Sequence, residues 1–394
     1  MPDFRSRKFL LEHIRHTMAF YHPRAIDPHG GFYHFFRDDG SVYDTHTRHL
    51  VSSTRFIFNY AMASRQFGDP TYLDATRHGV AYLRSAHRND HTGGYAWQLG
   101  TDRDDTHHCY GLAFVLLAYS HALMAGIDDA RAYVLETFDL MEKRFWSEQY
   151  GLYADEASPR WELSAYRGQN ANMHSCEAML AAYDATGELR FLHRAETIAQ
   201  NITRRQAAFA NDLIWEHYHV DWSVDWDYNR HDKTNIFRPW GYQPGHLTEW
   251  AKLLLILERH AKNLRNPSDW LVPRAQQLFD AALKRAWDAQ HGGIYYGFAP
   301  DYDICDDDKY FWVQAESLAA AALLAARTGD NQYWNWYERI WEYSWRHFVD
   351  HQHGAWYHIL TRDNRKISNE KSPAGKTDYH TMGACHEVLN VIAE

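Results

Sequence analysis

HGGFYHFF at His29–Phe36 returns as TGGYAWQL at Thr92–Leu99, YGLYADEA at Tyr150–Ala157, DLIWEHYH at Asp212–His219, HGGIYYGF at His291–Phe298 and HGAWYHIL at His353–Leu360. Each copy is a turn followed by a short aromatic stretch of strand type, and all but the fourth carry glycine in the turn. Each is followed by a polar loop and then a long helical segment: 47–64, 105–125, 170–186, 245–260, 310–328 and 376–392. A second helical segment precedes every turn: 6–20, 71–89, 128–147, 189–210, 267–290 and 331–351. Apolar spacing supports these assignments, as in Ala315, Leu318, Ala319, Ala322 and Leu323. A helix pair cannot bury its apolar face alone, so neighbouring pairs must stack. The reading is an all-α fold, an (α/α)6 barrel of six hairpins with short β-hairpins and long loops at one end, spanning 1–394 as a single domain. An open solenoid or two separate helical domains are the alternatives, and no Pro/Gly/Ser-rich linker divides the repeats to favour them.

Composition narrows the partners. Of 394 residues, 45% are hydrophobic and 23% charged, as in a soluble globular chain, and the formal net charge is −10. With no basic tract, nucleic acid and anionic membrane are poor partners. No apolar run reaches the length of a membrane span. The beginning of the chain is charged throughout and lacks a signal-peptide core. Cys109, Cys176, Cys305 and Cys385 are scattered without a CxxC, which points away from a disulfide framework and toward a cytoplasmic setting. Two features stand out: 27 histidines, and 15% aromatic residues. Aromatic faces suit sugar C–H surfaces, and imidazole both takes and gives a proton near neutrality.

In a closed ring the starts of the inner helices converge on a central funnel. The polar residues there are Arg48, His49 and Arg55; His107 and His108; Asn170 and His174; His246 and Glu249; Trp312 and Glu316; and His380. A packed helical core has no use for such groups in every repeat. His174/Glu177 and His246/Glu249 stand three residues apart, on one helix face each, where a carboxylate can orient an imidazole. Trp312 and Glu316, four apart, suit sugar stacking and hydroxyl binding. No GxGxxG, P-loop, HExxH or GxSxG stands in its required context, and no compact metal-ligand motif is present. The segment 219–242 is long enough to be a lid.

Five stretches carry a family resemblance: TRHLVSSTRFIFNYA (Thr47–Ala61), NANMHSCEAMLAAYDAT (Asn170–Thr186), QPGHLTEWAKLL (Gln243–Leu254), YFWVQAESLAAA (Tyr310–Ala321) and KTDYHTMGACHEVL (Lys376–Leu389). Together they resemble the N-acylglucosamine 2-epimerase superfamily, most nearly its mannose isomerase and aldose–ketose isomerase branch. The resemblance implies an (α/α)6 barrel, a small sugar substrate and neither cofactor nor metal. It implies His246 and His380 as proton-transfer residues, and Arg55, Asn170, His174, Glu249, Trp312 and Glu316 as substrate-binding residues. The expected chemistry opens the sugar ring, removes the C2 proton with His380 and passes through a cis-ene-diolate. His246, held by Glu249, would assist ring opening and protonate C1, while Arg55 steadies charge on O1 and O2. Return of the proton to C1 gives a ketose, and return to the other face of C2 gives the epimer. Aldose–ketose isomerisation is the first reading and 2-epimerisation the second. A glycoside hydrolase would need two carboxylates across the scissile bond, and a sugar-binding protein would not need paired histidines. The expected assembly is a monomer or homodimer.

Overall fold

The computed structural model describes residues 1–232, 235 and 237–392. Its helices are α1 (Arg7–Tyr21), α2 (Leu50–Phe67), α3 (Pro70–Tyr82), α4 (Cys109–Met124), α5 (Ala130–Arg144), α6 (Gln169–Thr186), α7 (Leu189–Gln200), α8 (Pro244–Arg259), α9 (Leu271–Ala286), α10 (Phe311–Thr328), α11 (Asn331–His347) and α12 (Tyr379–Leu389). The even-numbered helices form the inner ring. Each packs on the next even-numbered one, and α12 packs on α2. The outer helices α3, α5, α7, α9 and α11 each cover the inner helix before them, and α1 covers α12. The two ends of the chain thus build one helix pair, and the ring has no open edge.

The aromatic stretches repeat the same closure. The extended residues before each inner helix pair antiparallel with the aromatic stretch of the following repeat. His49 lies opposite Gln98, His108 opposite Glu156, Gly168 opposite His217, Tyr242 opposite Phe298, and Tyr310 opposite Ile359. The sixth repeat then pairs with the first, Phe36 opposite Ser372. This pairing explains why α2, α4 and α12 begin about one turn later than helical spacing suggests: the residues assigned to their first turns are spent on strand or loop backbone.

The turns form for identifiable reasons. Asp27, Asn89, Asp288 and Asp350 each accept backbone N–H bonds from residues two or three ahead, which closes an Asx turn. Gly31 and Gly293 sit at φ 71° and 82°. A Cβ at either would meet the ring of Tyr82 or Tyr343 within 2.6 Å, so glycine is required both for its backbone and for its lack of side chain. The fourth copy manages without glycine by placing Asn211 and Asp212 at φ 55° and 58°. Three of these turn aspartates are buried in ion pairs with the strand before the inner helix, as Asp27–Arg48 (2.5 Å), Asp288–Lys309 (3.0 Å) and Asp350–Lys371 (2.5 Å). Removing one partner would strand a buried charge at a cost of about 3–5 kcal/mol.

Burial separates the layers. In α10, Ala319 to Ala325 are all buried, as suits a helix flanked on every side. In α9 the buried residues Leu271, Ala275, Leu278, Ala282 and Ala286 form one stripe, as in an amphipathic outer helix. Among the described residues, no helix is long and apolar enough to cross a membrane.

Candidate active site

The inner helices present their N-terminal turns to a narrow cavity of about 80 Å³ on the barrel axis. Arg55, Asn170, His174, His246, Glu249, Trp312 and His380 all line it. Seven of the eight expected site residues are therefore brought together; Glu316 stands behind the wall.

The two proton-transfer candidates share a construction. His246, in the first turn of α8, donates Nδ1–H to Glu216 Oε1 at 2.9 Å. His380, in the first turn of α12, donates Nδ1–H to Glu316 Oε1 at 2.7 Å. A carboxylate on Nδ1 fixes the tautomer and leaves Nε2 as the base. Trp312 lies beside both rings, with centroids 5.0 Å from His246 and 5.6 Å from His380. Burial, reinforced by Arg55, His174 and Lys252, holds His380 well below the ordinary imidazole range, so it is a neutral base at physiological pH.

Arg55 is buried, donating to Gly375 O (2.5 Å) and Tyr110 Oη (3.1 Å), with its guanidinium over the rings of Phe114 and Tyr379. Among the described residues it pairs with no carboxylate, and its Nε has no hydrogen-bond partner. It is a fixed positive charge at the cavity wall. Glu249 is its complement. It is fully buried and neither carboxylate oxygen has a hydrogen-bond partner. Burial first, then the charge of Glu316, raises Glu249 well above the carboxylate range, which favours its neutral O–H form. His174 donates Nδ1–H to Glu177 at 3.0 Å, realising the spacing read from the sequence.

The floor behind these groups is ionic. Lys252 Nζ lies 2.5 Å from Glu316 Oε2 and 3.8 Å from Glu177 Oε1. Burial alone would lower the Lys252 ammonium, but the carboxylates of Glu316 and Glu177 outweigh it and raise it. His174, Glu177 and Glu249, and likewise Glu249, Glu316 and His380, bring oxygen and nitrogen atoms within 4.8 Å of one another. Both imidazole Nδ1 atoms are committed to carboxylates, and an ammonium already balances Glu316. The arrangement is a pair of hydrogen-bonded imidazole–glutamate dyads.

Several expectations need correction. Glu249 does not hold His246; Glu216 does. Glu216 lies in the aromatic stretch Asp212–His219, where a buried carboxylate among aromatics was the available signal. Gln169 Nε2 donates to Glu216 Oε2 (2.9 Å), and Trp250 Nε1 donates to Gln169 Oε1 (2.7 Å). Glu316 is not among the residues that line the cavity; it meets His380 from behind. Arg48 is engaged by Asp27, and His49 caps α2 by accepting from Val51 N (3.2 Å). His107 stacks on Trp161, and His108 stacks on Trp97; neither lines the cavity. Of the candidate lid 219–242, Phe237 and Pro239 line the cavity. Arg238 ties that wall to Glu156 at 2.7 Å, while residues 233, 234 and 236 lie outside the described residues. Tyr110, His358 and Lys376 also line the cavity, and the sequence reading named none of them as a site residue.

Fold and site define a class: an (α/α)6 barrel with two glutamate-bound imidazoles lining one cavity. The chain belongs to the N-acylglucosamine 2-epimerase (GlcNAc 2-epimerase) family, whose profile matches residues 30–384, and it is an isomerase in the broad sense that covers epimerases. It is 55% identical to the D-mannose isomerase of Marinomonas mediterranea over 395 aligned positions, 99% of each chain. It is 38% identical to the D-mannose isomerase of Thermobifida fusca, covering 72% of this chain and 70% of that one. A crystal structure of D-mannose isomerase superposes with a TM-score of 0.96 at 55% identity, over 99% of each chain. Cellobiose 2-epimerase from Bacillus thermoamylovorans B4167 superposes at 0.84 with 19% identity, over 98% of this chain and 100% of that one, and shares the fold.

Proposed function

We propose that the chain is an aldose–ketose isomerase that interconverts mannose and fructose. The observation that carries this reading is the pair His246 and His380, each with Nδ1 on a buried glutamate, lining one small cavity around Trp312. Full-length similarity to D-mannose isomerase supports the choice of sugar.

In this reading the open-chain aldose lies between the two rings. His380 Nε2 takes the C2 proton, leaving negative charge on O1 of an ene-diolate. Arg55, whose charge is permanent, faces that oxygen without a competing carboxylate. His246, carrying a second proton drawn from solvent on Nε2, delivers it to C1, the O2 proton moves to O1 to complete the ketose, and His380 returns its proton to solvent. Glu249, protonated, gives an O–H to a sugar oxygen. Asn170 and His174 bind hydroxyls, and Trp312 offers its face to the carbon chain. Glu316 acts through His380 as a positioning residue. Acid–base catalysis of this kind is worth about 10²–10⁴ in rate, and stabilising the ene-diolate supplies much of the remainder.

The same reading takes residues 1–394 as one catalytic domain, monomeric or homodimeric, without a cofactor. A cytoplasmic setting agrees with four free cysteines, three of them buried. The test is incubation with mannose, fructose, glucose, N-acetylmannosamine and cellobiose, followed by NMR. A ketose from mannose supports the reading. A C2 epimer as main product replaces it with epimerisation, and no conversion of any sugar removes it.

A further inference from the structure

Lys252 has no place in the chemistry above, yet it is one of the most deliberately placed charges in the molecule. It stands on α8 almost two turns beyond His246 and is 96% buried. Its ammonium is absent from the catalytic cavity and forms part of a second cavity, about 460 Å³, at the opposite end of the inner ring. That rear cavity reaches the surface at exposed Arg65 and Asn390. Its inner wall is the floor of the active site: Glu177, Lys252, Glu316 and Tyr379.

The geometry points to Lys252 as the positioning residue that keeps Glu316 ionised, and so keeps the proton of His380 on Nδ1 and the lone pair of Nε2 facing the sugar. The alternative state is definite. Were Glu316 protonated, its Oε1–H would donate to His380 Nδ1 across the same 2.7 Å contact. The ring would then carry its proton on Nε2, and the cavity would face a donor where the reaction needs a base. The groups around Glu316 make that shift easy once the ammonium is gone. From α6 come Glu177 and His174, from α8 Glu249, from α12 Tyr379 and His380, and from α2 Arg55. Arg55 is committed to the front wall. Lys252 is the ammonium in contact with Glu316. Burial already raises Glu316 from its ordinary value with Lys252 opposing, and removing the opposing charge moves it further in the same direction.

This inference rests on His380 being the C2 base, and its tests separate the two ideas. Lys252→Ala should lower kcat by about 10- to 100-fold, the usual cost of losing a partner behind a functional imidazole, while KM holds. Part of the loss should return as pH rises and Glu316 ionises. Lys252→Arg should retain most activity with the parental pH profile. Because the void left by Lys252→Ala opens on the rear cavity, ethylammonium or propylammonium should restore turnover saturably, whereas the uncharged alcohols of the same length should not. The ¹⁵N shifts of the His380 ring, read without substrate, should change from the Nδ1–H to the Nε2–H pattern in Lys252→Ala at neutral pH. An unchanged tautomer, or a loss that is equal at all pH values and indifferent to amines, overturns the role given to Lys252. If His380→Asn keeps its turnover, the reading of His380 as base fails instead, whatever the tautomer does.

Discussion

The fourth and sixth repeats build the same device from different parts. Each places an imidazole in the first turn of an inner helix, with its Nδ1 on a buried glutamate, beside Trp312. In the fourth, Glu216 comes from the aromatic stretch of the same repeat and is braced by neutral groups, the Gln169 amide and behind it the Trp250 indole. In the sixth, Glu316 comes from the neighbouring inner helix and is braced by an ammonium. A neutral brace orients its glutamate; an ammonium also decides whether that glutamate holds a proton. In the proposed reaction the charged brace serves the ring assigned as the C2 base, and the neutral brace serves the ring assigned to C1.

The largest expected effect falls on both regions at once and sets the pH range in which they can be compared. His13, His49, His121, His358 and His386 are held down to about 3, and His87 to about 4, chiefly by burial. The folded chain cannot protonate them where the unfolded chain does. Their contribution to stability is complete above about pH 6.5 and is lost as pH falls from there toward about 3. Denaturant midpoints should drop steeply over that interval. A flat midpoint from pH 7 to 4 would contradict the burial of these rings.

Next in size is loss of either imidazole. His380→Asn and His246→Asn should each lower kcat by about 10²–10⁴, but they should fail differently. With [2-²H]mannose, His380→Asn should leave the label in place. His246→Asn should still exchange it with solvent while forming little ketose. Identical isotope behaviour in the two variants would erase the division of labour. Glu316→Gln and Glu216→Gln follow, each at about 10- to 100-fold. Glu316→Gln should lose mainly kcat, because an amide can leave the wrong nitrogen of His380 protonated; Glu216→Gln should lose less.

The architecture was legible because six copies of one turn-and-strand signal, from Gly31 to Gly354, punctuate the chain, and each needs the next to bury its helices. The helix starts were less so: Arg48 and His49 look helical by spacing but pair across the ring with residues about fifty positions away. The cavity residues were legible because Arg, His, Asn and Glu at inner-helix starts have no packing role. What held them was not. Glu249 is the natural partner of His246 by helical spacing, yet the carboxylate that reaches Nδ1 is Glu216, brought by the neighbouring turn. Glu316 was read as a sugar ligand since its spacing from Trp312 shares a face, but α12 interposes His380. Helical periodicity reports neighbours along one helix, whereas these contacts are made between helices.

The smallest prediction bears on the brace of the fourth repeat. Trp250→Phe keeps the ring that fills the inner-helix interface and removes only the N–H donated to Gln169 Oε1 at 2.7 Å. Gln169 then loses the contact that sets its amide orientation, and its Nε2 is free to turn from Glu216. A single neutral hydrogen bond is worth about 1 kcal/mol, or roughly fivefold in rate. The loss should appear in ketose formation, and C2 label exchange through His380 should keep its parental rate, since among the described residues Trp250 makes no hydrogen bond or ring contact with Lys252, Glu316 or His380. Equal slowing of exchange and product formation would mean that the two braces are mechanically one, and the contrast between a charged and a neutral support would not describe how this site works.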